Sequence, residues 1–262
     1  METRANYKNW IPGGMIAAMG MGTAALTAGV FVSGSSEKTA LSRILFTVCG
    51  TGAAALAMGT VWSIGAWRAF SYEGTRQLSR RIVEGAAQYI SLPEGGCGLD
   101  VGCGSGALTI ACARRNPQGR MIGVDRWGWE YASFSQGLCE RNAAAEGVDN
   151  VVFDKGDANR LKYPAGSFDA VTSNYVYHNI PSRDRQKLLL ETLRVLKKGG
   201  VFAIHDLMSP ARYGDMKSFV EFLRQKGYER VELIPTASGL FLSSAEARWL
   251  LLRDSMLLTG RK

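Results

Sequence analysis

The chain has 262 residues, 46% hydrophobic and 21% charged, which is enough apolar material for a packed core and argues against disorder. Its net charge is +8, but the basic residues are scattered or flank apolar runs, with no basic helix or basic run interleaved with aromatics, so nucleic acid is not the expected partner. Five cysteines without a CxxC pair speak against a disulfide framework or a zinc site, and suit reduced thiols in a cytosol-facing protein; no metal is expected.

Residues 11–32 and 44–67 carry no charged side chain. Each is long enough to cross about 30 Å of hydrocarbon as a helix. Trp10 precedes the first run, and Trp62 and Trp67 end the second, as interfacial aromatics do. With a short polar connector over 33–43, the pattern predicts a transmembrane helical hairpin over residues 1–70. A cleaved signal peptide accounts for the first run only. A buried soluble hairpin and a re-entrant anchor are the other readings. Small residues recur every four positions (Gly20/Ala24/Ala28, Ala25/Gly29, Ala55/Gly59), which suits close helix contact within the hairpin or between the protomers of a homo-oligomer. Arg4 and Lys8 precede the spans and Arg68, Arg76, Arg80 and Arg81 follow them, against Lys38, Arg43 and Glu37 between. That bias places both ends in the cytoplasm, with the protein in the cytoplasmic membrane.

From 71 to 90 the period changes. Leu78, Ile82, Ala86 and Ile90 predict an amphipathic helix that caps the domain following it, the other reading being a helix on the membrane surface with Arg80 and Arg81 at the headgroups. Then comes LDVGCGSGALT (99–109), an apolar strand end running through three alternating glycines into a helix over 107–115. Such a turn lets a ligand approach the backbone and the first amides of the helix. Strands are predicted over 120–124, 151–153, 168–173, 201–204, 231–235 and 256–260. Helices are predicted over 129–146, from a Ser182 cap to about 196, and over 213–226. This alternation predicts an α/β domain over 71–262, a parallel sheet with helices on both faces. Asp100, Asp125, Asp157, Asn174 and Asp206 each fall at or just past a strand end, where such sheets bind ligands.

Asp125 stands about 20 residues after the glycines, the spacing of a carboxylate that accepts from both ribose hydroxyls. Asp157 can accept from an adenine amine or simply start a turn. The glycines read GxGxG after an acid, not the GxGxxG of nicotinamide dehydrogenases.

In these stretches the chain resembles the class I S-adenosylmethionine-dependent methyltransferases. LDVGCGSGALT, GVDRW around Asp125, KGDANRL around Asp157, SFDAVTSNYVYHN around Asn174 and LRVLKKGGVFAIHD before Asp206 match that family in order and spacing. The resemblance runs from about residue 71 to the last residue, is nearest to the small-molecule branch with the quinone-biosynthesis C-methyltransferases, and leaves the apolar region uncovered. It implies a Rossmann-like seven-stranded sheet with an antiparallel edge hairpin. It implies that Gly102, Gly104 and Gly106 pass under the methionine part of S-adenosylmethionine and that Asp100 helps hold its amino group. It implies likewise that Asp125 binds the ribose, Asp157 with Ala158 the adenine, and that Asn174 contributes near the methionine end. Cys103 in the loop and Arg126 beside Asp125 are counted with these contacts.

Methyl transfer from a sulfonium is an in-line displacement that needs alignment and exclusion of water, and a base only when the acceptor must lose a proton. Past the strand ends stand Tyr175, Tyr177, His178, His205 and Asp206. His178 is the candidate base, with Tyr177 and Asp206 as catalytic partners; His205, on an apolar strand, is expected to be structural. Trp127, Trp129 and Tyr131 are placed to stack on adenine, face lipid or pack the start of the next helix. The two spans point to a small lipophilic or lipid acceptor in or near the membrane. The contrasting reading is a cofactor-binding or scaffold protein that keeps the fold without transferring methyl.

Overall fold

The computed structural model describes residues 4–36, 39–128 and 133–262. They form two compact units, Asn9–Ser79, and Arg80–Lys262 together with residues 4–8.

The smaller unit is a pair of helices, α1 (Gly13–Ser35) and α2 (Ala40–Phe70). At 1.5 Å per residue they measure about 34 and 46 Å, longer than the predicted spans and than a bilayer core. Their hydrophobic windows average a hydropathy of 1.8 and are only 0% and 6% buried, unlike the core helix of a soluble protein. Met21, Phe31, Val32, Met58 and Val61 all face outward. Hydroxyls inside the helices bond back to the preceding turn, Thr23 to Met19 O, Thr27 to Thr23 O, Thr51 to Thr47 O and Thr60 to Leu56 O. They therefore need no water, the condition hydrocarbon imposes. Ala25 and Ala55 are exposed, but the glycines of the Ala25/Gly29 and Ala55/Gly59 pairs meet the facing helix: a Cβ on Gly29 would come within 2.8 Å of Cys49 Sγ, and one on Gly59 within 2.4 Å of Met19 Cε. The Gly20/Ala24/Ala28 row does not, since Ala24 and Ala28 are exposed and Gly20 has nothing within 4 Å. Trp10 meets Phe70 at 5.4 Å and Asn9 Nδ2 donates to Trp67 O, so the chain enters and leaves the hairpin at one end. Glu37 and Lys38 of the predicted connector lie outside the described residues.

The larger unit is built on a seven-stranded sheet of order β3-β2-β1-β4-β5-β7-β6. Its strands are β1 (Cys97–Val101), β2 (Arg120–Asp125), β3 (Val151–Lys155), β4 (Phe168–Asn174), β5 (Leu196–Leu207), β6 (Glu229–Pro235) and β7 (Ser255–Arg261). The first five in the order are parallel, and β7 runs antiparallel to both β5 and β6. The central β1 is buried along its whole length, as a strand covered on both faces must be. Helices α3 (Leu78–Ala87), α4 (Ala107–Arg115), α5 (Gln136–Ala145), α6 (Arg185–Arg194), α7 (Pro210–Tyr213), α8 (Met216–Gln225) and α9 (Ser244–Trp249) complete the unit. Strand order reverses between β1 and β4, and the crevice beyond their carboxyl ends is the topological switch point where such sheets bind ligands.

Several predicted boundaries move for local reasons. The capping helix is α3 alone, shorter than 71–90, although Leu78, Ile82, Ala86 and Ile90 are all buried as the period required. α5 begins at Gln136, not Trp129, because Ser135 caps it by accepting from Leu138 N; Trp129 and Tyr131 lie outside the described residues. Asp184, not Ser182, caps α6 by accepting from Lys187 N, while Ser182 Oγ accepts from Asp184 N. The helix predicted over 213–226 is two helices, broken at left-handed Gly214 and restarted by the Asp215 cap.

Candidate active site

Three positive-φ glycines, Gly102, Gly104 and Gly106, carry the chain from β1 into α4. Gly102 N and Cys103 N both donate to Val124 O, at 2.7 and 3.1 Å, so the loop is pinned to β2. Two of these glycines matter differently. At Gly102 a Cβ would lie 2.3 Å from Val176 Cγ2, so the loop packs directly on the turn after β4. At Gly104 the nearest atom would be 3.9 Å away, on Phe134, which leaves that face open for a ligand.

Asp100 is the fourth residue of β1 and is buried. Its Oδ2 accepts from the Thr109 hydroxyl of α4 at 2.6 Å, while its Oδ1 has no partner among the described residues. Burial pushes its carboxyl up to about 7, with the Asp125 charge adding to the shift and the Thr109 bonds opposing it. Asp125 ends β2. It accepts from Gly104 N at 2.9 Å and from Trp127 N at 2.8 Å, and the Trp127 indole donates to Gly104 O at 2.9 Å. Trp127 has a left-handed backbone and closes the glycine loop from the β2 side. Asp157 follows β3, is exposed, and accepts at Oδ1 from both the backbone and the amide of Asn159.

The other side of the crevice is the turn after β4. Asn174 ends the strand, and Tyr175 adopts φ +55°, a strained conformation for a non-glycine that turns the chain out of the sheet. A 3₁₀ turn, Tyr177–Asn179, follows. His178 Nδ1 lies 2.5 Å from Asp206 Oδ1 at the end of β5. Asp206 is fully buried and also accepts from Tyr177 N at 2.8 Å, His178 N at 3.2 Å and Leu207 N at 2.6 Å. Burial acts to raise its pKa, but the His178 ring and these N–H donors outweigh it and hold the carboxylate below its ordinary range. An ionised Asp206 makes His178 Nδ1 the donor and leaves Nε2 to accept. Arg185 of α6 fastens the turn by donating to the carbonyls of Tyr177, His178 and Ile180, and Arg212 donates to His178 O.

Behind this turn His205 is buried in β5, and burial lowers its pKa to about 3, so it is neutral. Its Nδ1 meets Asn174 Oδ1 and its Nε2 meets Thr236 Oγ1, both at 2.8 Å. A neutral ring has one donor nitrogen; Asn174 Oδ1 can only accept, so Nδ1 carries the proton and Thr236 donates to Nε2. The ring packs between Tyr175, at 4.6 Å, and Phe241, at 5.2 Å.

The pattern of a methyltransferase domain matches residues 94–226, just over half of the chain. The chain belongs to this methyltransferase-domain family. It is 31% identical over 139 residues to a demethylmenaquinone methyltransferase of Geobacillus stearothermophilus, covering 52% of this chain and 55% of that protein. It is 30% identical over 152 residues to the 27-O-demethylrifamycin SV methyltransferase of Amycolatopsis mediterranei, covering 58% and 53%. The chain thus spans about half the length of the curated relatives it matches. A solved geranyl diphosphate methyltransferase, in complex with GPP and sinefungin, superposes with a TM-score of 0.55 over 76% of this chain and 84% of that one, at 14% identity, a likeness of fold.

In this methyltransferase fold the cofactor is S-adenosylmethionine, and the residues present fit it. The partnerless oxygen of Asp100 is a buried acceptor that an ammonium group would satisfy. Both Asp125 oxygens retain lone pairs for ribose hydroxyls. Gly104 offers the open backbone face between them. Of the other residues named for the cofactor, Asn174 is half-buried and fixed by His205, Cys103 is buried in the loop, Ala158 packs against the core, and Arg126 is exposed.

Two catalytic assignments are corrected. The Tyr177 side chain is fully buried, with its hydroxyl 2.5 Å from Thr192 Oγ1, so it faces the core and contributes only its N–H, to Asp206. Asp206 is buried as well and bonds the His178 ring, which places it to position His178 rather than to touch a substrate. Of the three, His178 alone keeps exposed side-chain surface. His205, expected to be only structural, holds Asn174. Sequence reasoning missed Arg185, Thr236 and Asn142, and it named Trp127 without its indole bond to Gly104 O. Asn142 of α5 donates to Ser105 O in the glycine loop and exchanges bonds with Asn6, accepting from its N–H at 2.7 Å and donating to its O at 3.2 Å.

Proposed function

We propose that this chain is a membrane-anchored S-adenosylmethionine-dependent methyltransferase that methylates a small lipophilic acceptor, with its larger unit on the cytoplasmic side. The observation that carries the chemistry is the His178–Asp206 pair, set across the switch point from the glycine loop. When bound, the cofactor supplies an electrophilic methyl group on a sulfonium. The chain aligns and desolvates. Asp100 and Asp125 fix the donor end, and the Gly102–Val176 contact ties the loop to the His178 turn. The acceptor atom gains the methyl and its proton passes to His178 Nε2, while Nδ1–H stays on Asp206 and the buried carboxylate stabilises the imidazolium.

Three observations support the lipophilic acceptor and the anchor. One curated relative is named for demethylmenaquinone and a structural neighbour holds geranyl diphosphate. Tyr175, His205 and Phe241 form a tilted and edge-to-face aromatic cluster beside His178. Finally, residues 4–8 and Arg80–Lys262, the stretches on either side of the two apolar helices, fold into one unit, as two spans returning to one side of a membrane require.

The test is methyl-labelled cofactor added to membranes from cells making the full chain, followed by organic extraction. Wild type puts label into the organic phase, and His178→Ala lowers it by about 10²-fold or more if the base is used. Cofactor binding with no labelled product in any extract returns the chain to a binding or scaffold role. No binding at millimolar cofactor ends the enzyme reading.

A further inference from the structure

The glycine loop is held from outside itself, and one of its holds continues into a distant part of the chain. Gly104 O accepts from the Trp127 indole and from Cys139 Sγ, and Ser105 O accepts from Asn142 Nδ2 at 2.9 Å. Cys139 and Asn142 stand three residues apart on α5, so they share one face of that helix, and both are buried. The Ser105–Gly106 peptide is fixed at both ends, since Gly106 N donates to Cys103 O at 2.8 Å. Asn142 does more than hold Ser105. Its Oδ1 accepts from Asn6 N at 2.7 Å, and its Nδ2 also donates to Asn6 O at 3.2 Å. One amide thus binds both backbone groups of residue 6 and the loop carbonyl of residue 105. Its orientation follows from its partners, an oxygen toward the N–H and a nitrogen toward the two carbonyls. Residues 4–8 belong to the larger unit, although 136 positions separate Asn6 from Asn142. Asn6 Oδ1 accepts from Lys8 N at 3.2 Å, Lys8 takes φ +56°, and Tyr7 between them is buried, so the segment is a formed turn.

This bonding gives the segment leverage on the cofactor loop. With 4–8 docked, both N–H groups and the oxygen of the Asn142 amide are used, and its side chain is fixed toward Ser105. With 4–8 lifted, Oδ1 and one N–H lose their partners, and the amide is free to turn away from Ser105 O. The loop that carries the open face of Gly104 then loses one of its holds. A short segment of this kind opens more readily than the sheet, so a ligand that prefers the held loop shifts it toward the docked state.

We propose that residues 4–8 are a strap that positions the cofactor loop, with Asn142 as the positioning residue between the two. The docked strap strengthens S-adenosylmethionine binding, and the bound cofactor tightens the strap by the same factor. The inference rests on the cofactor site at the glycine loop. It extends that site to a segment outside residues 94–226, the stretch that the methyltransferase-domain pattern covers.

The experiment is calorimetry of S-adenosylmethionine with the full chain in detergent, alongside hydrogen exchange of the peptide that contains residues 4–8. Asn6→Pro removes the N–H that Asn142 Oδ1 accepts, while Asn6→Ala keeps both backbone groups of residue 6. Asn6→Pro and Asn142→Ala should each weaken binding by about five- to tenfold, and Asn6→Ala should bind at least about threefold more tightly than Asn6→Pro. In wild type, saturating cofactor should slow exchange across 4–8 by a similar factor of about five to ten, and Asn142→Ala should lose that slowing. Asn6→Pro and Asn6→Ala binding alike, or exchange across 4–8 that cofactor leaves unchanged, overturns the strap and leaves the segment as packing. A wild-type chain that binds no S-adenosylmethionine overturns the cofactor site itself, and this inference with it.

Discussion

Two buried aspartates stand at two strand ends of one sheet, and they have been moved in opposite directions. Asp100 on β1 has one hydroxyl partner and one empty oxygen, and burial carries its pKa to about 7. Asp206 on β5 accepts from three backbone N–H groups and an imidazole and stays ionised below the ordinary range. Burial alone would treat them alike. The difference is whether the chain supplies the partners. Around Asp206 it supplies all of them, and the result is a finished support for His178. Around Asp100 it leaves one oxygen without a partner among the described residues, and the proposed ammonium group would complete it.

The largest expected effect comes from breaking the finished side. Asp206→Asn keeps an oxygen for the N–H donors but removes the charge that orients and stabilises the His178 ring. The methyl-transfer rate should fall by about 10²- to 10⁴-fold while cofactor affinity changes little. Single-turnover rates alongside equilibrium cofactor binding check the split; a parallel loss of both would show that Asp206 serves the whole site.

Breaking the unfinished side should give a pH effect. Below about pH 7 Asp100 holds a proton that must leave before it can face an ammonium group, so cofactor should bind about tenfold more weakly at pH 6 than at pH 8. Proton release on binding is readable by calorimetry in buffers of different ionisation enthalpy. For folding the sign runs the other way. The unfolded chain loses this proton near pH 4 and the folded chain near 7, so the ligand-free protein loses stability as pH rises between them and none of that term returns above 7. Asp100→Asn should abolish both slopes, weakening cofactor binding at pH 8 while raising the stability of the ligand-free protein there by at most about 4 kcal/mol. A variant that keeps the wild-type binding slope would take the amino-group role away from Asp100.

The two aspartates also mark what a sequence makes visible. Each ends an apolar run, so each strand end could be read, as could the GxGxG turn, whose glycines need a positive φ. The α/β frame over 71–262 followed from the same periodicity, and the antiparallel edge from the family resemblance. What stayed hidden depends on neighbours that only the fold brings together. Tyr177 and His178 are adjacent in sequence, yet on a 3₁₀ turn one side chain enters the core and the other keeps surface, and no period distinguishes them. Ser182 and Asp184 are equally good caps by composition; the chain uses the second. Thr236 lies 31 residues beyond His205 and reaches it only because β7 pairs between β5 and β6.

That last residue gives the smallest and sharpest comparison between partnered and partnerless groups. His205 is neutral, and its tautomer is decided at Nε2 by the Thr236 hydroxyl. Thr236→Val preserves shape and removes the donor, leaving one buried ring nitrogen unpaired at a cost of about 1–2 kcal/mol. The ring is then free to take its proton to Nε2 and present a bare Nδ1 to Asn174. Asn174 would have to turn its amide to donate, reversing the polarity it offers at the end of β4. The expected outcome is a several-fold rise in KM for the cofactor with kcat nearly unchanged, and a ring-nitrogen chemical-shift exchange between Nδ1 and Nε2 in labelled protein. Thr236→Ser restores the hydroxyl without the methyl and should recover KM and the shifts together. Loss of stability in Thr236→Val with KM and tautomer unmoved would reduce the Thr236–His205–Asn174 chain to packing, and would leave Asn174 held by β4 alone.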